Sequence, residues 1–251
     1  MACLLLALFV GPGAGCATQR EGLVTAAGTQ TARHFSVTQT RTLVADYLLY
    51  LPDNYAPDSG RRWPLILFLH GGAENGTNVW KVARNGPPQV AARMKGFPFI
   101  VVSPQCPSGK MWSNDLLIAL LDEVEKRYAV DPHRVYLTGL SSGGFGTWSL
   151  GLSYPERFAA IAPFCGGGDF ITPHMAEGAR EAALKTLPIW AFHGGKDPAV
   201  PVEESRRMVA IMKSLGDQEV KLTIYPDAGH ICWTQAYEGT ELYDWFLRHS
   251  R

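Results

Sequence analysis

Residues 139–143, Gly-Leu-Ser-Ser-Gly, stand between an apolar run, "RVYLTG", and a stretch of helical character, "FGTWSLGLSYP". The pattern G-x-S-x-G suits a strand–turn–helix bend that projects a serine hydroxyl from a sharply turned backbone. Glycines two before and two after the serine leave room for such a bend. Ser141 has Gly139 and Gly143 in those places, whereas Ser142 has Leu140 on one side, so Ser141 is the candidate nucleophile. A serine hydroxyl attacks only if a base accepts its proton. Among the seven histidines, His230 in "YPDAGHICW" lies between the last apolar run and the last helical stretch, where it can fold back over a sheet edge. His70 and His193 each precede Gly-Gly and read as braces of their loops; His34, His133, His174 and His249 have no motif around them. The base in turn needs a carboxylate to hold its tautomer. Asp197, in "HGGKDPAVP", is the candidate. Asp169 and Asp227 are rivals by type, but Asp169 follows an earlier run and Asp227 closes the run before His230, where a turn or cap is the simpler role. The charge of a tetrahedral intermediate needs fixed donors. The backbone N–H groups of Gly72, in "LFLHGGAENG", and of Ser142 are the candidates. Together these parts point to acyl transfer through a covalent intermediate.

The elements that must position them follow from the apolar runs. "FSVTQT" and "TLVADYLLYLP" read as a pair of antiparallel strands. The runs at 64–70, 97–104, 134–139, 158–166, 187–195 and 220–227 read as further strands, each apolar enough to be covered on both faces. Between them, "SNDLLIALLDEVEKRYAV" places Leu117, Leu120, Leu121, Val124 and Tyr128 on one helical stripe, with Asn114 as cap. "PVEESRRMVAIMKSLG" is a second helix ending at Gly216, and "TQAYEGTELYDWFLRHS" a last one. Strands alternating with helices predict one α/β domain, a mostly parallel sheet with helices on both faces. Its working surface should lie beyond the carboxyl ends of the strands, where all the candidates fall.

Composition agrees with a globular enzyme-sized domain: 46% hydrophobic residues, 18% charged, and 23 basic against 23 acidic side chains. No basic block is present, which argues against a nucleic-acid face. "ACLLLALFVGPGAGCATQ" is a short apolar stretch ending in small residues and reads as an export signal over 1–16. "GAGC" resembles a bacterial lipobox, with Cys16 as the lipid-bearing residue, although Gly13 stands where that pattern prefers Leu and no Lys or Arg precedes the run. The expectation is export, to the periplasm, an outer-membrane anchor through lipid on Cys16, or the medium. Residues 17–33 read as a polar tether and 34–251 as the catalytic domain. Besides Cys3 and Cys16, Cys106, Cys165 and Cys232 remain; at most one bridge joins them, the sequence leaves the pair open, and their spacing fits no zinc pattern.

On these residues the chain resembles the α/β-hydrolase superfamily, and within it bacterial serine esterases of the predicted-peptidase, polyhydroxybutyrate-depolymerase and feruloyl-esterase-like group. The resemblance runs from about Asp46 to the end, through "DYLLYLPDNY", "WPLILFLHGG", "VVSPQCPSGKMW", "VDPHRVYLTGLSSGGFGTW", "YPERFAAIAPFCGGGD", "WAFHGGKDPAVPVEESRRMV" and "AGHICWTQAYEGTELYDWF". It implies the chain order nucleophile, acid, base on Ser141, Asp197 and His230. It implies a serine carboxylic ester hydrolase without cofactor or metal, acting on short acyl or aryl esters, free or linked to polysaccharide. "HICW" departs from relatives that carry a polar residue after the histidine, which alters the expected pocket wall. The segment between "FCGGGD" and "LPIW" is too short for a large lid domain, so the site should be open. Trp112, Trp233 and Phe145 could line it or belong to the core. The other readings are a serine peptidase of prolyl-oligopeptidase-like type and a non-catalytic binding protein on the same fold.

Overall fold

The computed structural model describes Gln30 and residues 32–251, so the apolar leader, Cys3 and Cys16 lie outside the described residues. The chain divides into two units, Met1–Arg41 and Thr42–Arg251. In the first, the described residues are exposed and belong to no helix or strand.

The second unit carries seven strands: β1 (Tyr47–Tyr50), β2 (Trp63–Leu69), β3 (Ile100–Pro104), β4 (Val130–Leu140), β5 (Ala160–Phe164), β6 (Ile189–Gly194) and β7 (Val220–Tyr225). Their order is β1-β3-β2-β4-β5-β6-β7. β1 is antiparallel to β3 and every other pair is parallel. The helices are α1 (Gly86–Ala91), α2 (Asn114–Arg127), α3 (Ser142–Ser153), α4 (Ile171–His174), α5 (Gly178–Leu184), α6 (Glu203–Ser214), α7 (Thr234–Glu238) and α8 (Glu241–Leu247).

β2 shows why its continuous apolar run is needed. Successive side chains of a strand point to opposite faces. Leu65, Leu67 and Leu69 join one core with residues of α2, α3 and α6, while Ile66 and Phe68 join the other with residues of α1, α7 and α8. Both faces of β2 are therefore covered, and all seven of its residues are buried. The second core is aromatic: Tyr243 packs its ring edge-on to Phe97 at 4.9 Å, and Tyr136 stacks on Phe246 at 4.8 Å. Burying a ring of this size contributes about 1.5–3 kcal/mol.

Three expectations need correction. The antiparallel pair at the start is absent: 35–40 forms no strand, Phe35 and Val37 are exposed, and only Tyr47–Tyr50 of the next run pairs, with β3. β3 is five residues long and offers no longer ladder. The cap of α2 is Ser113, whose hydroxyl accepts the Leu116 N–H, while Asn114 instead donates to the Ser149 and Ser153 hydroxyls of α3. The last helix is two, α7 and α8, because Gly239 takes an extended backbone between them.

Candidate functional site

β4 ends at Leu140 and α3 begins at Ser142, so the whole reversal from strand to helix falls on Ser141. Its φ is +54°, a conformation that side-chain-bearing residues rarely adopt. The Ser141 N–H donates to the Phe164 carbonyl at 3.0 Å and its carbonyl accepts the Phe145 N–H at 3.1 Å, which fixes the bend from both sides. The flanking glycines are required by close approach. A Cβ on Gly143 would stand 1.9 Å from the Leu69 carbonyl oxygen, and one on Gly139 2.5 Å from the Gly143 carbonyl oxygen. Both obstacles are backbone and cannot move aside.

Three of the sequence candidates form a continuous chain of hydrogen bonds. The Ser141 hydroxyl lies 2.9 Å from His230 Nε2, and His230 Nδ1 lies 2.7 Å from Asp197 Oδ2. The remaining carboxylate oxygen of Asp197 accepts the N–H groups of Ala199 (2.8 Å) and Val200 (2.9 Å). Because only acceptors face Nδ1, that nitrogen carries the proton and Nε2 is left to accept one from Ser141. The Asp197 side chain is fully buried. Burial alone would raise its carboxyl, but the bonds from His230, Val200 and Ala199 outweigh burial and hold it below the ordinary value. The rivals are engaged elsewhere. Asp169 accepts the N–H groups of Ile171 and Thr172 at its own turn, and exposed Asp227 pairs with Lys196.

The loops carrying Asp197 and His230 are stitched together by main chain. The N–H of Gly195 donates to the Tyr225 carbonyl and that of Lys196 to the Ala228 carbonyl. Gly194 is bare because a Cβ there would meet the Gly229 carbonyl oxygen at 2.0 Å. His193, wholly buried, stands behind Asp197. Its Nδ1 lies 2.7 Å from the Ser205 hydroxyl, its Nε2 3.0 Å from the Val200 carbonyl and 3.4 Å from Asp197 Oδ2. It ties the loop carrying Asp197 to α6.

On the other side of Ser141, Gly72 opens a short three-residue turn, Gly72–Glu74, as Ser142 opens α3. The first N–H groups of a helical turn have no acceptor within it, so both are free to bind an oxygen from outside. The two segments abut: a Cβ on Gly71 would lie 3.5 Å from the Ser141 Cβ, and one on Gly72 3.8 Å from the Ser142 hydroxyl. His70 braces this loop. Its Nδ1 donates to the Gly71 carbonyl at 2.6 Å and its Nε2 accepts the Cys106 N–H at 2.9 Å, with Trp112 edge-on at 4.8 Å. Burial lowers the His70 pKa, in keeping with this neutral tautomer.

Glu74, Asn85 and Gln105, which the sequence gave no reason to single out, complete the frame together with Trp233. Buried Glu74 accepts the Asn85 amide at 2.9 Å, and Asn85 in turn accepts the indole N–H of Trp233 at 3.3 Å. Trp233 sets its ring edge-on to His230 at 5.5 Å. Gln105 donates to the carbonyls of Glu74 and Asn78. Burial lifts the Glu74 carboxyl above the ordinary range. Its one sequence signal is an acidic residue inside the glycine-rich turn "GGAENG". Trp233 is buried, whereas Phe145 and Trp112 are half-buried.

Among the described residues, one trio offers ligand atoms close enough for a metal ion: Cys165, His193 and Asp197, all within 4.8 Å of one another. Each atom is already engaged, Cys165 with Cys232, His193 with Ser205 and Val200, and Asp197 with His230. A metal here would have to compete with the contact of Asp197 with His230.

The segment between β5 and β6 carries only α4 and α5, four and seven residues long, and no lid domain. The His230 side chain remains 22% exposed. Exposed apolar residues occur on the loops that follow the parallel strands: Met111 after β3, Phe170 after β5 and Ile231 after β7. Among the described residues no helix is long and apolar enough to cross a membrane.

A solved thermostable esterase is 33% identical to this chain, with a TM-score of 0.66 over 82% of this chain and 59% of that one. A bifunctional acetylxylan esterase/xylanase of Neocallimastix patriciarum is 29% identical over 69% of this chain, and a lasso peptide isopeptidase of Asticcacaulis excentricus 28% identical over 79%. The chain spans 24% of the first of these two relatives and 34% of the second. The fold is the α/β-hydrolase fold expected from the sequence. Residues 109–241, which include Ser141, Asp197 and His230, match the phospholipase/carboxylesterase family, and the chain belongs to that family.

Proposed function

We propose that this protein is a serine carboxylic ester hydrolase with Ser141 as nucleophile, His230 as general base and then acid, and Asp197 as the carboxylate that orients His230. The observation that carries this reading is the unbroken hydrogen-bond chain from Ser141 through His230 to Asp197, 2.9 and 2.7 Å long, beginning at a serine held at positive φ. His230 Nε2 takes the hydroxyl proton as Ser141 Oγ attacks the ester carbonyl. The developing oxyanion accepts the N–H groups of Gly72 and Ser142, a stabilisation of roughly 3–4 kcal/mol for one such donor. His230 then gives its proton to the leaving alcohol, and an acyl-Ser141 ester remains. Water, deprotonated by the same histidine, attacks that ester and releases the acid.

The short β5–β6 segment and the apolar side chains on the strand-end loops support an open site that takes short acyl or aryl esters rather than long acyl chains. The acetylxylan esterase relative supports an ester linked to polysaccharide as the substrate. The lasso peptide isopeptidase relative favours a second reading, amide cleavage at the same serine. The apolar stretch before Cys16 supports export with lipid on that cysteine, which metabolic labelling with a fatty acid would test.

The deciding assay compares p-nitrophenyl acetate, butyrate and laurate, a feruloyl ester, acetylated xylan and a chromogenic peptide, alongside labelling by a fluorophosphonate. Turnover of the acetate and aryl esters with an adduct on Ser141 is the expected result. Rapid peptide cleavage with inert esters would select the second reading. No adduct in folded protein would mean that the fold here serves binding.

A further inference from the structure

We propose that Cys165 and Cys232 are the partners of a disulfide that clamps the histidine-bearing loop to the end of β5. Cys165 is the first residue after β5 and Cys232 lies two residues after His230. Both are buried, and their sulfurs are 2.8 Å apart. Both are thiols in this structure, yet that separation is shorter than two unbonded sulfurs pack and less than an ångström longer than a disulfide bond. The surroundings point the same way. Cys165 holds φ at +44°, an unfavourable value for a residue with a side chain. Its N–H is tied to the Phe192 carbonyl at 2.9 Å, so the strained residue is locked with its sulfur toward the loop. The same sulfur lies 3.2 Å from the His230 carbonyl oxygen, and the Cys232 N–H donates to that oxygen at 2.9 Å. Forming the bond would replace the S–H that Cys165 donates to that oxygen with a covalent tie two residues from His230, restraining the loop that carries it. Cys106, the other described cysteine, lies instead beside the Lys110 carbonyl.

The reaction is thiol–disulfide exchange with a small-molecule or enzyme-borne disulfide. One cysteine thiolate attacks a sulfur of the oxidant and releases one thiol. The second cysteine then attacks the mixed disulfide and releases the other. One S–S bond breaks, one forms, and the two electrons and two protons leave on the two thiols. In the folded protein the Cys165 thiol ionises reluctantly, since the neighbouring sulfur and burial both push it up. Exchange is accordingly expected as the loop closes during folding, in the oxidising compartment that export would supply.

The bond stands apart from the ester-hydrolysis reading, whereas its effect on turnover rests on that reading. The full chain, purified without reductant and refolded with oxidised glutathione as probe, is digested under non-reducing conditions and its peptides weighed. A peptide pair joined through Cys165 and Cys232 is expected. Finding these two unlinked, or joined to other cysteines, overturns the proposal. The crosslink would close a loop of 67 residues, so reduction should lower Tm by on the order of 10 °C. Well below that Tm, reduction should cut kcat by about tenfold with KM nearly unchanged, since a misplaced base loses rate rather than binding. Re-oxidation should restore the rate. Cys165→Ser and Cys232→Ser should each show the reduced rate and ignore reductant. A linked pair whose reduction lowers Tm but leaves kcat unchanged would overturn the clamp on His230. A linked pair in a protein inert to every ester would instead count against the hydrolase reading alone.

Discussion

Replacing Asp197 by asparagine changes one oxygen to an amide nitrogen, and its effect can be worked from the bonds around that carboxylate. One oxygen accepts two main-chain N–H groups, from Ala199 and Val200, and the other accepts His230 Nδ1–H. An asparagine has a single acceptor oxygen. If that oxygen keeps the two main-chain bonds, the NH2 group faces His230 and forces the ring proton onto Nε2. Nε2 then points a hydrogen at Ser141 and cannot take one. If the amide turns over, His230 keeps the right tautomer but two N–H groups confront an NH2. Two lost bonds at about 1 kcal/mol each leave the useful orientation roughly 2 kcal/mol higher, near one molecule in thirty. The lost charge opposite the forming imidazolium removes roughly another 2–3 kcal/mol, the usual range for a hydrogen bond to a charged group. The barrier should rise by about 4–5 kcal/mol, a fall in kcat of about a thousand- to ten-thousand-fold. Initial rates on p-nitrophenyl acetate near neutral pH, at saturating and limiting substrate, would measure it. KM should move little, because the amide touches no substrate. A folded Asp197→Asn protein within about tenfold of the parent kcat would refute the assignment of the acid and the tautomer argument with it.

Four further outcomes are expected. Ser141→Ala should abolish the burst and steady turnover of p-nitrophenyl acetate and the fluorophosphonate adduct, whereas Ser142→Ala keeps its N–H and should hold kcat within about twofold; equal losses in both would contradict the choice between the two serines. His193→Phe removes the bonds to Ser205 and Val200 behind the acid and should lower kcat about tenfold with KM unchanged, together with a lower Tm; an unchanged kcat would show that the acid loop holds without it. Gly143→Ala would drive a Cβ to 1.9 Å from the Leu69 carbonyl oxygen and should yield little folded protein by circular dichroism. At Asp217, burial, helped by the charge of Glu219, lifts the carboxyl from 3.8 to about 7, and its Oδ2 is buried without a partner. The folded state thus holds this proton more tightly than the unfolded chain, so the contribution is full below about pH 4 and is lost as pH rises to about 7, by roughly 4 kcal/mol. Asp217→Asn should therefore raise Tm by on the order of 10 °C at alkaline pH and leave it unchanged in acid, with kcat unaffected; a uniform shift would point to packing instead.

Much of this molecule could be read before folding because its chemistry is carried by local patterns. Six apolar runs became β2 to β7; β2, β3, β5 and β6 are buried throughout, as strands covered on both faces must be, whereas β7, at the sheet edge, is only partly buried. The serine bend was legible because the glycines that permit it are close in sequence to the residue they serve. The first hairpin failed for the opposite reason. Its runs are β-prone, but a strand also needs a partner edge, and β3 offers five residues to only one of them. The last helix was over-extended because Gly239 is one residue inside an otherwise periodic stretch. The frame behind the candidate site was illegible. Glu74 meets Asn85, and Asn85 meets Trp233 148 residues later in the chain. Nothing local to any of the three marks the others as partners. The cysteine pair left open by spacing was illegible for the same reason: Cys165 and Cys232 meet only because the loops after β5 and β7 converge.

The precision of the candidate site is finally a property of strand register. Leu69 pairs with Gly139, Leu140 with Phe164 and Gly194 with Tyr225, so β2, β4, β5, β6 and β7 finish close to one line. Gly72, Ser141, Asp197 and His230 each follow one of these ends by no more than five residues. A slip of one residue in any pair would carry its loop about 3.3 Å along the strand and turn its side chains to the other face. Hydrogen bonds between side chains tolerate only a few tenths of an ångström around 2.9 Å. The bonds from Ser141 to His230 and from His230 to Asp197 therefore cannot survive any register but this one. The two hydrophobic cores, by fixing which side of each strand is buried, select the geometry in which the Ser141 hydroxyl meets His230.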